Sequence, residues 1–214
     1  MEFPRLPLAV LIALPHLLGQ TLDAILVLET TPGTEQAIGL LDPRAFQDSD
    51  RAGVIVFQRA SQVLQPLTAD RNEFAATLHR AGMRMGVGDY RALINSSLPV
   101  DLGGALKKAV AAFGQPASSG HQRAILVLFA GEDPGLSASL SSLKVSLRAA
   151  GIRLFAVQVQ RVDPRGAVLP PGAGGYPTRA LTAELVSQLA KDSGGRLFRR
   201  NWNLEEILRL ARKP

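Results

Sequence analysis

The stretch that decides the fold is Leu22-Asp-Ala-Ile-Leu-Val-Leu-Glu29-Thr-Thr-Pro-Gly-Thr34. Within it, residues 24–28 form an unbroken apolar run, with an acid before it and polar, turn-forming residues after it. A short apolar run of this kind is typical of a strand buried on both faces, as in a parallel sheet. In open α/β sheets, ligands bind just beyond the carboxyl ends of such strands. The segment that begins at Glu29 is therefore the first candidate for a functional site.

Composition fits a single domain and argues against two classes of function. The chain has 214 residues, 46% of them hydrophobic, which is enough for one sizeable core. Its net charge of +6 comes from dispersed basic residues, and aromatic residues make up only 5%. Binding of nucleic acid needs a basic stripe with stacking aromatics, so we expect no nucleic-acid partner. The absence of cysteine excludes disulfide scaffolds and thiol catalysis.

The N-terminal residues are similar to a secretory signal peptide. A short basic start is followed by an almost wholly apolar run over 6–18 and by a small, polar break at 19–21. The apolar run is shorter than the roughly twenty residues that a membrane-spanning helix needs. We therefore expect residues 1–20 to be a signal peptide and residues 21–214 to be a secreted or periplasmic domain without a membrane span. The alternative is a buried N-terminal element of a cytosolic protein.

Further apolar runs predict the rest of the sheet. Residues 124–129 are as apolar as the first strand, and residues 54–57 form another strand. Only five residues separate that strand from the next at 63–67, which is too few for a parallel crossover, so this pair should be an antiparallel hairpin. Pro66 suits an edge position. Two later strands are predicted at 152–159 and 196–199.

Helical spacing and breaker residues place the elements between the strands. Helices are predicted over residues 35–41, 70–80, 102–113, 137–150, 182–191 and 204–210. Loops are predicted at the glycine-rich 82–88, at the Ser/Gly linker 116–120 with His121, and over the Pro- and Gly-rich 161–178; residues 90–97 are ambiguous. The pattern predicts an α/β fold: a doubly wound, Rossmann-like, mostly parallel six-stranded sheet with one antiparallel edge strand and helices on both faces.

Five fragments, in order, give the chain a family resemblance. They are residues 23–29 as a first strand, 49–57 (SDRAGVIVF), 100–106 (VDLGGAL), 148–157 (RAAGIRLFAV) and 189–198 (LAKDSGGRLF). Each is weak alone, but together with the predicted hairpin they resemble a von Willebrand factor type A domain over nearly everything after residue 20. The resemblance implies a doubly wound fold and a non-catalytic role in protein–protein interaction.

The family often carries a metal-ion-dependent adhesion site, which holds magnesium through hard oxygen ligands. Matched residue by residue, the five ligand positions of that site are Glu29, Thr31, Gly33, Val100 and Ala130. The last three have no side-chain oxygen. The resemblance therefore implies a degenerate site, and we expect no metal and no cofactor.

Two interpretations of the same region stay open. Asp101, Glu132 or Asp133 could act as displaced magnesium ligands, with Thr34 in place of a serine. Alternatively, the strand ends form a metal-free docking rim for a basic or polar protein partner. The candidate rim consists of Glu29, Thr31, Thr34, Asp101, Glu132 and Asp133. Without a cation, Glu29 must be solvated, paired with a basic group, or hydrogen-bonded by threonines or backbone amides, in which case it is a structural acid.

An enzyme is the rival from another class. Residues 30–35 loosely resemble a phosphate-binding loop of the flavodoxin type, which would make the chain a phosphate-, nucleotide- or flavin-binding enzyme. Against it, the aromatics Tyr90, Tyr176 and Trp202 are scattered, and no G-x-x-x-x-G-K-[ST], G-x-G-x-x-G or G-x-S-x-G motif is present. His79 and His121 have no evident catalytic companions. The sequence therefore predicts an interaction module with no catalytic residues.

Overall fold

Six strands form one sheet in the order β3-β2-β1-β4-β5-β6. The computed structural model describes residues 20–31, 34–86, 99–114, 120–159, 178–199 and 201–213. The strands are β1 (Thr21–Glu29), β2 (Arg51–Phe57), β3 (Ser61–Thr68), β4 (His121–Phe129), β5 (Ile152–Gln158) and β6 (Arg196–Phe198). The described helices are α1 (Thr34–Gly39), α2 (Arg71–Gly86), α3 (Leu102–Ala112), α4 (Leu136–Ala149), α5 (Thr178–Asp192) and α6 (Leu204–Ala211), with a 3-10 turn at Pro43–Ala45.

The centre of the sheet is β1, which is parallel to β2 on one side and to β4 on the other. Its side chains alternate between two cores. Leu22, Leu26 and Leu28 pack with α1, α2 and α6, while Ile25 and Val27 pack with α3, α4 and α5. Because helices cover both faces, neither side of the strand meets water, and the sequence shows a continuous apolar run instead of an alternating one.

The predicted architecture is confirmed. Helices flank both faces of a mostly parallel sheet, and β3 is its single antiparallel strand, at the edge beside β2. The hairpin turn from residue 58 to 60 is too short for a crossover, which forces the antiparallel direction. Pro66 lies on this edge strand, where a missing N–H costs no ladder bond on the open side.

Two local predictions were wrong. The glycine-rich segment predicted as a loop at 82–88 is helical as far as Gly86, because α2 continues along the sheet past Gly82. His121 belongs to β4 and pairs with Thr21, so it does not lie in a linker. Glycine lowers helix stability by only about 1 kcal/mol, so it does not by itself end α2, and at His121 the pairing with β1 outweighs the local turn composition. The predicted signal peptide, Gly33, the ambiguous segment 90–97 and most of 161–178 lie outside the described residues.

Candidate binding crevice at the carboxyl edge of the sheet

The parallel strands β1, β2, β4 and β5 end at one edge of the sheet, which we call the carboxyl edge. Residues 100–101 bridge this edge: the Val100 N–H donates to the Glu132 carbonyl at 2.9 Å, and the Asp101 N–H donates to the Gln58 carbonyl at 2.7 Å. Gln58 follows β2 and Glu132 follows β4, and β1 lies between those strands. The bridge therefore passes over the end of β1 and closes the crevice where Glu29 lies.

Glu29 is fully buried beneath this bridge. Its Oε2 accepts hydrogen bonds from the backbone N–H groups of Ala130 and Gly131, both at 2.8 Å. Its Oε1 accepts one from the Thr31 hydroxyl at 2.5 Å. A buried carboxylate is tolerated only when its oxygens are hydrogen-bonded or paired. The contacts show Glu29 held by a threonine and by backbone amides, one of the arrangements that the sequence left open.

The two candidate threonines serve the same turn. Thr31 is buried and donates to Glu29, while the Thr34 hydroxyl lies 2.7 Å from the carbonyl oxygens of both Glu29 and Thr31. Thr34 is the first residue of α1 and is also buried. Both side chains therefore fix the path of the chain from β1 into α1, and their oxygens face inward.

The donor set at the crevice does not fit magnesium. Magnesium needs about six oxygen ligands in near-octahedral geometry. At this point two N–H groups converge on Glu29, and N–H dipoles disfavour a cation. Val100 supplies methyl groups: a Cβ placed on Gly131 would lie 2.9 Å from Val100 Cγ1 and 2.9 Å from Glu29 Oε1. Ala130 contributes only its backbone N–H. Backbone N–H groups and methyl groups thus line the Glu29 carboxylate at this point of the crevice.

The acids that could have served as displaced ligands have other partners. Asp133 is buried, with Oδ2 accepting from the Gly103 N–H and Oδ1 from the Gly135 N–H, both at 2.8 Å. Asp101 is the N-cap of α3 and accepts from the Gly104 N–H at 2.8 Å. Within the described ranges, no group of three or more His, Cys, Asp or Glu side chains is placed to hold a metal ion. Asp101 therefore caps α3, and Asp133 ties the start of α3 to the turn before α4.

The six candidate rim residues separate by exposure. Glu29, Thr31, Thr34 and Asp133 are buried, Glu132 is partly exposed, and Asp101 is exposed. Only the last two can present their carboxylates to a partner at the surface. The buried four instead determine where the loops after β1 and β4 lie.

A second polar cluster lies at the opposite, amino edge of the sheet, and only a faint signal in the sequence pointed to it. Asp23 is buried and accepts two hydrogen bonds from Arg51, at 2.8 and 2.6 Å, while His121 Nδ1 lies 3.3 Å from Oδ1. Burial would raise the pKa of Asp23, but the hydrogen bonds and charges of Arg51 and His121 outweigh it and lower the pKa below its usual value. The signal was an acid immediately before an apolar run.

Asp50 joins three parts of the chain at this amino edge. Its Oδ1 accepts from the Leu22 N–H at 2.9 Å, and its Oδ2 accepts from the Gln47 N–H at 2.7 Å and from the Arg212 guanidinium. Asp50 is buried, so these bonds compensate for the loss of its hydration. The start of β1 and the end of α6 are thereby held together.

Several solved structures share the overall fold of this chain. The chain has a TM-score of 0.59 and 16% identity to BatB from Bacteroides thetaiotaomicron, over 89% of this chain and 95% of that one. An aerotolerance-related membrane protein from Bacteroides fragilis matches with a TM-score of 0.58 and 17% identity, over 88% and 96% of the two chains. The SpRpn10 VWA domain matches with a TM-score of 0.53 and 10% identity, over 87% and 93%.

This chain has a von Willebrand factor A-like fold. The predicted resemblance is thereby confirmed at the level of the fold, which is all that identities this low can show. No protein-family model matches the sequence, and no curated protein matches it. Among the residues that the structure describes, no helix of this von Willebrand A-like fold is long and apolar enough to cross a membrane.

Proposed function

We propose that this chain is a non-catalytic protein–protein interaction module that works outside the cytoplasm and binds its partner at the carboxyl edge without a metal ion. The observation that carries the proposal is the set of hydrogen bonds that Glu29 accepts. Its carboxylate is buried and accepts from two amides and a hydroxyl, so the crevice is internally satisfied where an adhesion site would need a cation. The fold contributes an associational argument for protein binding.

The partner contact is assigned to the accessible part of the rim. Asp101 is exposed and Glu132 is partly exposed, and both stand on the loops that close the crevice. Their charges are negative, which favours a partner with basic or polar groups at the contact. The four buried residues hold those loops in position from beneath and do not touch the partner themselves. They are Glu29, Thr31, Thr34 and Asp133.

Two placements support a role without catalysis. His79 lies on the exposed side of α2, and His121 lies with Asp23 at the amino edge. His121 lies at the edge of the sheet opposite the crevice, so it cannot act there as the base for a nucleophile, which requires hydrogen-bonding distance, and His79 is exposed to solvent on α2. A panel of flavins and nucleotides tests the enzymatic alternative, because a ligand-dependent rise in melting temperature would favour it.

Location outside the cytoplasm rests on the predicted signal peptide over residues 1–20. A fold neighbour that is described as a membrane protein is compatible with it. N-terminal sequencing of material exported by the native host gives the test. We expect a start near residue 20, and a start at Met1 would contradict export by cleavage.

The partner contact is tested with variants that remove charge and keep the helix caps. Asp101→Asn and Glu132→Gln alter the rim, while Asp70→Asn is the matched control. Asp70 is also an exposed helix cap, accepting from the N–H groups of Asn72 and Glu73, but it lies at the amino edge. Asparagine caps about as well as aspartate. We expect the Asp101→Asn/Glu132→Gln pair to weaken binding of the captured partner by about fivefold or more, and Asp70→Asn to leave it unchanged. Equal binding by all variants would place the contact elsewhere.

Metal independence is tested separately by calorimetric titration with magnesium, manganese and calcium. We expect no saturable heat and no change in melting temperature. Saturable heat that disappears in Asp101→Asn or Asp133→Asn would instead support a metal-dependent adhesion domain with displaced ligands.

A further inference from the structure

Three hydrogen-bond donors converge on the Glu29 carboxylate in the crevice, beneath the rim. Two consecutive backbone N–H groups, those of Ala130 and Gly131, point at one oxygen, and the Thr31 hydroxyl points at the other oxygen of the same carboxylate. Successive N–H groups that converge on one point form an anion-binding concavity. We call these three donors the carboxylate nest.

We propose that the carboxylate nest is a site for a single small carboxylate, and that Glu29 fills it as a ligand built into the chain. The donors belong to the loop after β4 and to the turn after β1, so they do not depend on the Glu29 side chain for their chemistry. The bound group is a carboxylate in the structure itself, which fixes the class of ligand.

The surroundings match the size and charge of that ligand. The side chain of Glu29 is fully buried, and Val100 and Gly131 enclose its carboxylate closely enough that a methyl group on Gly131 would collide with it. Donors in a water-excluded site bind an anion more strongly than they would in water. Removing the Glu29 side chain should therefore leave a cavity with donors that accepts formate or acetate from solution.

Chemical rescue tests this assignment. Glu29→Ala is unfolded thermally in sodium formate and in sodium chloride at equal ionic strength. We expect formate to raise the melting temperature of Glu29→Ala saturably, by about 3–6 °C more than chloride does. Wild type, in which the nest is filled, should respond equally to both salts. A Glu29→Ala protein that responds no more to formate than to chloride would overturn the proposal.

A matched cavity separates anion binding from simple filling of space. Val27→Ala creates a cavity on the same strand and the same face, among apolar side chains. An apolar cavity offers no donors, so formate should not stabilise Val27→Ala. An equal formate response in both variants would also overturn the proposal.

Two further measurements apply if Glu29→Ala unfolds. Its refolding yield from denaturant should rise with formate and not with chloride, and a yield that is equally low in both would contradict the nest. Glu29→Gln keeps the side-chain volume, and its carboxamide carries no charge. In the Glu29→Gln protein, the amide proton resonances of Ala130 and Gly131 should move upfield from their wild-type positions, because the carboxamide oxygen is a weaker acceptor. Unchanged resonances would count against the nest whether or not the rim binds a partner.

Discussion

The central strand carries a buried acid at each end, and the two acids are held by different kinds of donor. At the amino edge, Asp23 is held by the charged side chain of Arg51 and by His121. At the carboxyl edge, Glu29 is held by two backbone amides and a hydroxyl. The same strand thus begins in an ion pair and ends in a set of neutral donors.

The difference shows what each end depends on. Arg51 is partly exposed, so the pair at the amino edge is open to salt and to protonation of Asp23. The three donors that hold Glu29 here, the N–H groups of Ala130 and Gly131 and the Thr31 hydroxyl, are neutral groups. Their strength depends on where the loop after β4 places the N–H groups of Ala130 and Gly131. The amino edge is therefore governed by charge, and the carboxyl edge by backbone geometry.

The largest effect is expected when Glu29 is removed as an acceptor. Glu29→Leu fills most of the same space but leaves two amide N–H groups and the Thr31 hydroxyl buried without that acceptor, which should lower the free energy of unfolding by about 3–5 kcal/mol. Glu29→Gln keeps one acceptor oxygen and should cost about 1–3 kcal/mol. Urea unfolding measures both. Equal stability of wild type and Glu29→Leu would show that the amides are satisfied in another way.

Asp23→Asn should lower the free energy of unfolding somewhat less, by about 2–3 kcal/mol. The substitution weakens a charge-assisted pair whose arginine, Arg51, is already partly exposed to water. The pH dependence should change with it. The pKa of Asp23 is lower in the folded protein, so its contribution is present above the unfolded pKa of about 3.9 and is lost as the pH falls through the folded value. In unfolding curves measured from pH 7 to pH 2, the free energy of unfolding should fall less on acidification in Asp23→Asn than in wild type. Parallel pH profiles would contradict this assignment.

Gly131→Ala tests the geometry of the carboxyl edge directly. The added Cβ would lie 2.9 Å from both Glu29 Oε1 and Val100 Cγ1, so the loop must shift and we expect a loss of about 1–2 kcal/mol. Gly82→Ala is the control, because Gly82 lies inside α2 and its added Cβ would make only an ordinary 3.8 Å contact with Ile38 of α1. That change should stabilise the protein by about 0.5–1 kcal/mol through helix propensity. In thermal unfolding we therefore expect Gly131→Ala to lower the melting temperature and Gly82→Ala to raise it.

The smallest effect is expected at His121. It is partly exposed and its Nδ1 lies 3.3 Å from Asp23, farther than either Arg51 contact. His121→Gln should therefore lower the free energy of unfolding by less than about 1 kcal/mol at pH 7. A loss as large as that of Asp23→Asn would mean that the histidine, and not Arg51, is the main partner of the acid.

The fold was predictable because its strongest signals are local. The apolar runs in β1 and β4 and the short turn after β2 are enough to give a parallel centre with one antiparallel edge. The prediction was wrong at residues 82–86, where glycine composition suggested a loop and α2 continues to Gly86. Helix propensity is a weak guide, because a glycine inside a helix costs only about 1 kcal/mol.

The carboxyl-edge site was predictable in its location and less so in its chemistry. The sequence placed Glu29 at a strand end and showed that Val100 and Ala130 lack side-chain oxygens. It could not show that Ala130 and Gly131 supply backbone N–H groups, since every residue except proline has one and only the path of the loop aims it. Burial of Glu29 under residues 100–101 likewise depends on contacts between distant parts of the chain.

The bonds of Asp50 have a practical consequence for handling the protein. Because Asp50 joins Leu22 to Arg212, the first strand begins and the last helix ends on the side of the sheet away from Asp101 and Glu132. A tag joined directly before β1 in a protein that lacks residues 1–20, or directly after α6, would tether the domain by this edge and leave those two carboxylates facing the solution, in the orientation that a binding assay requires.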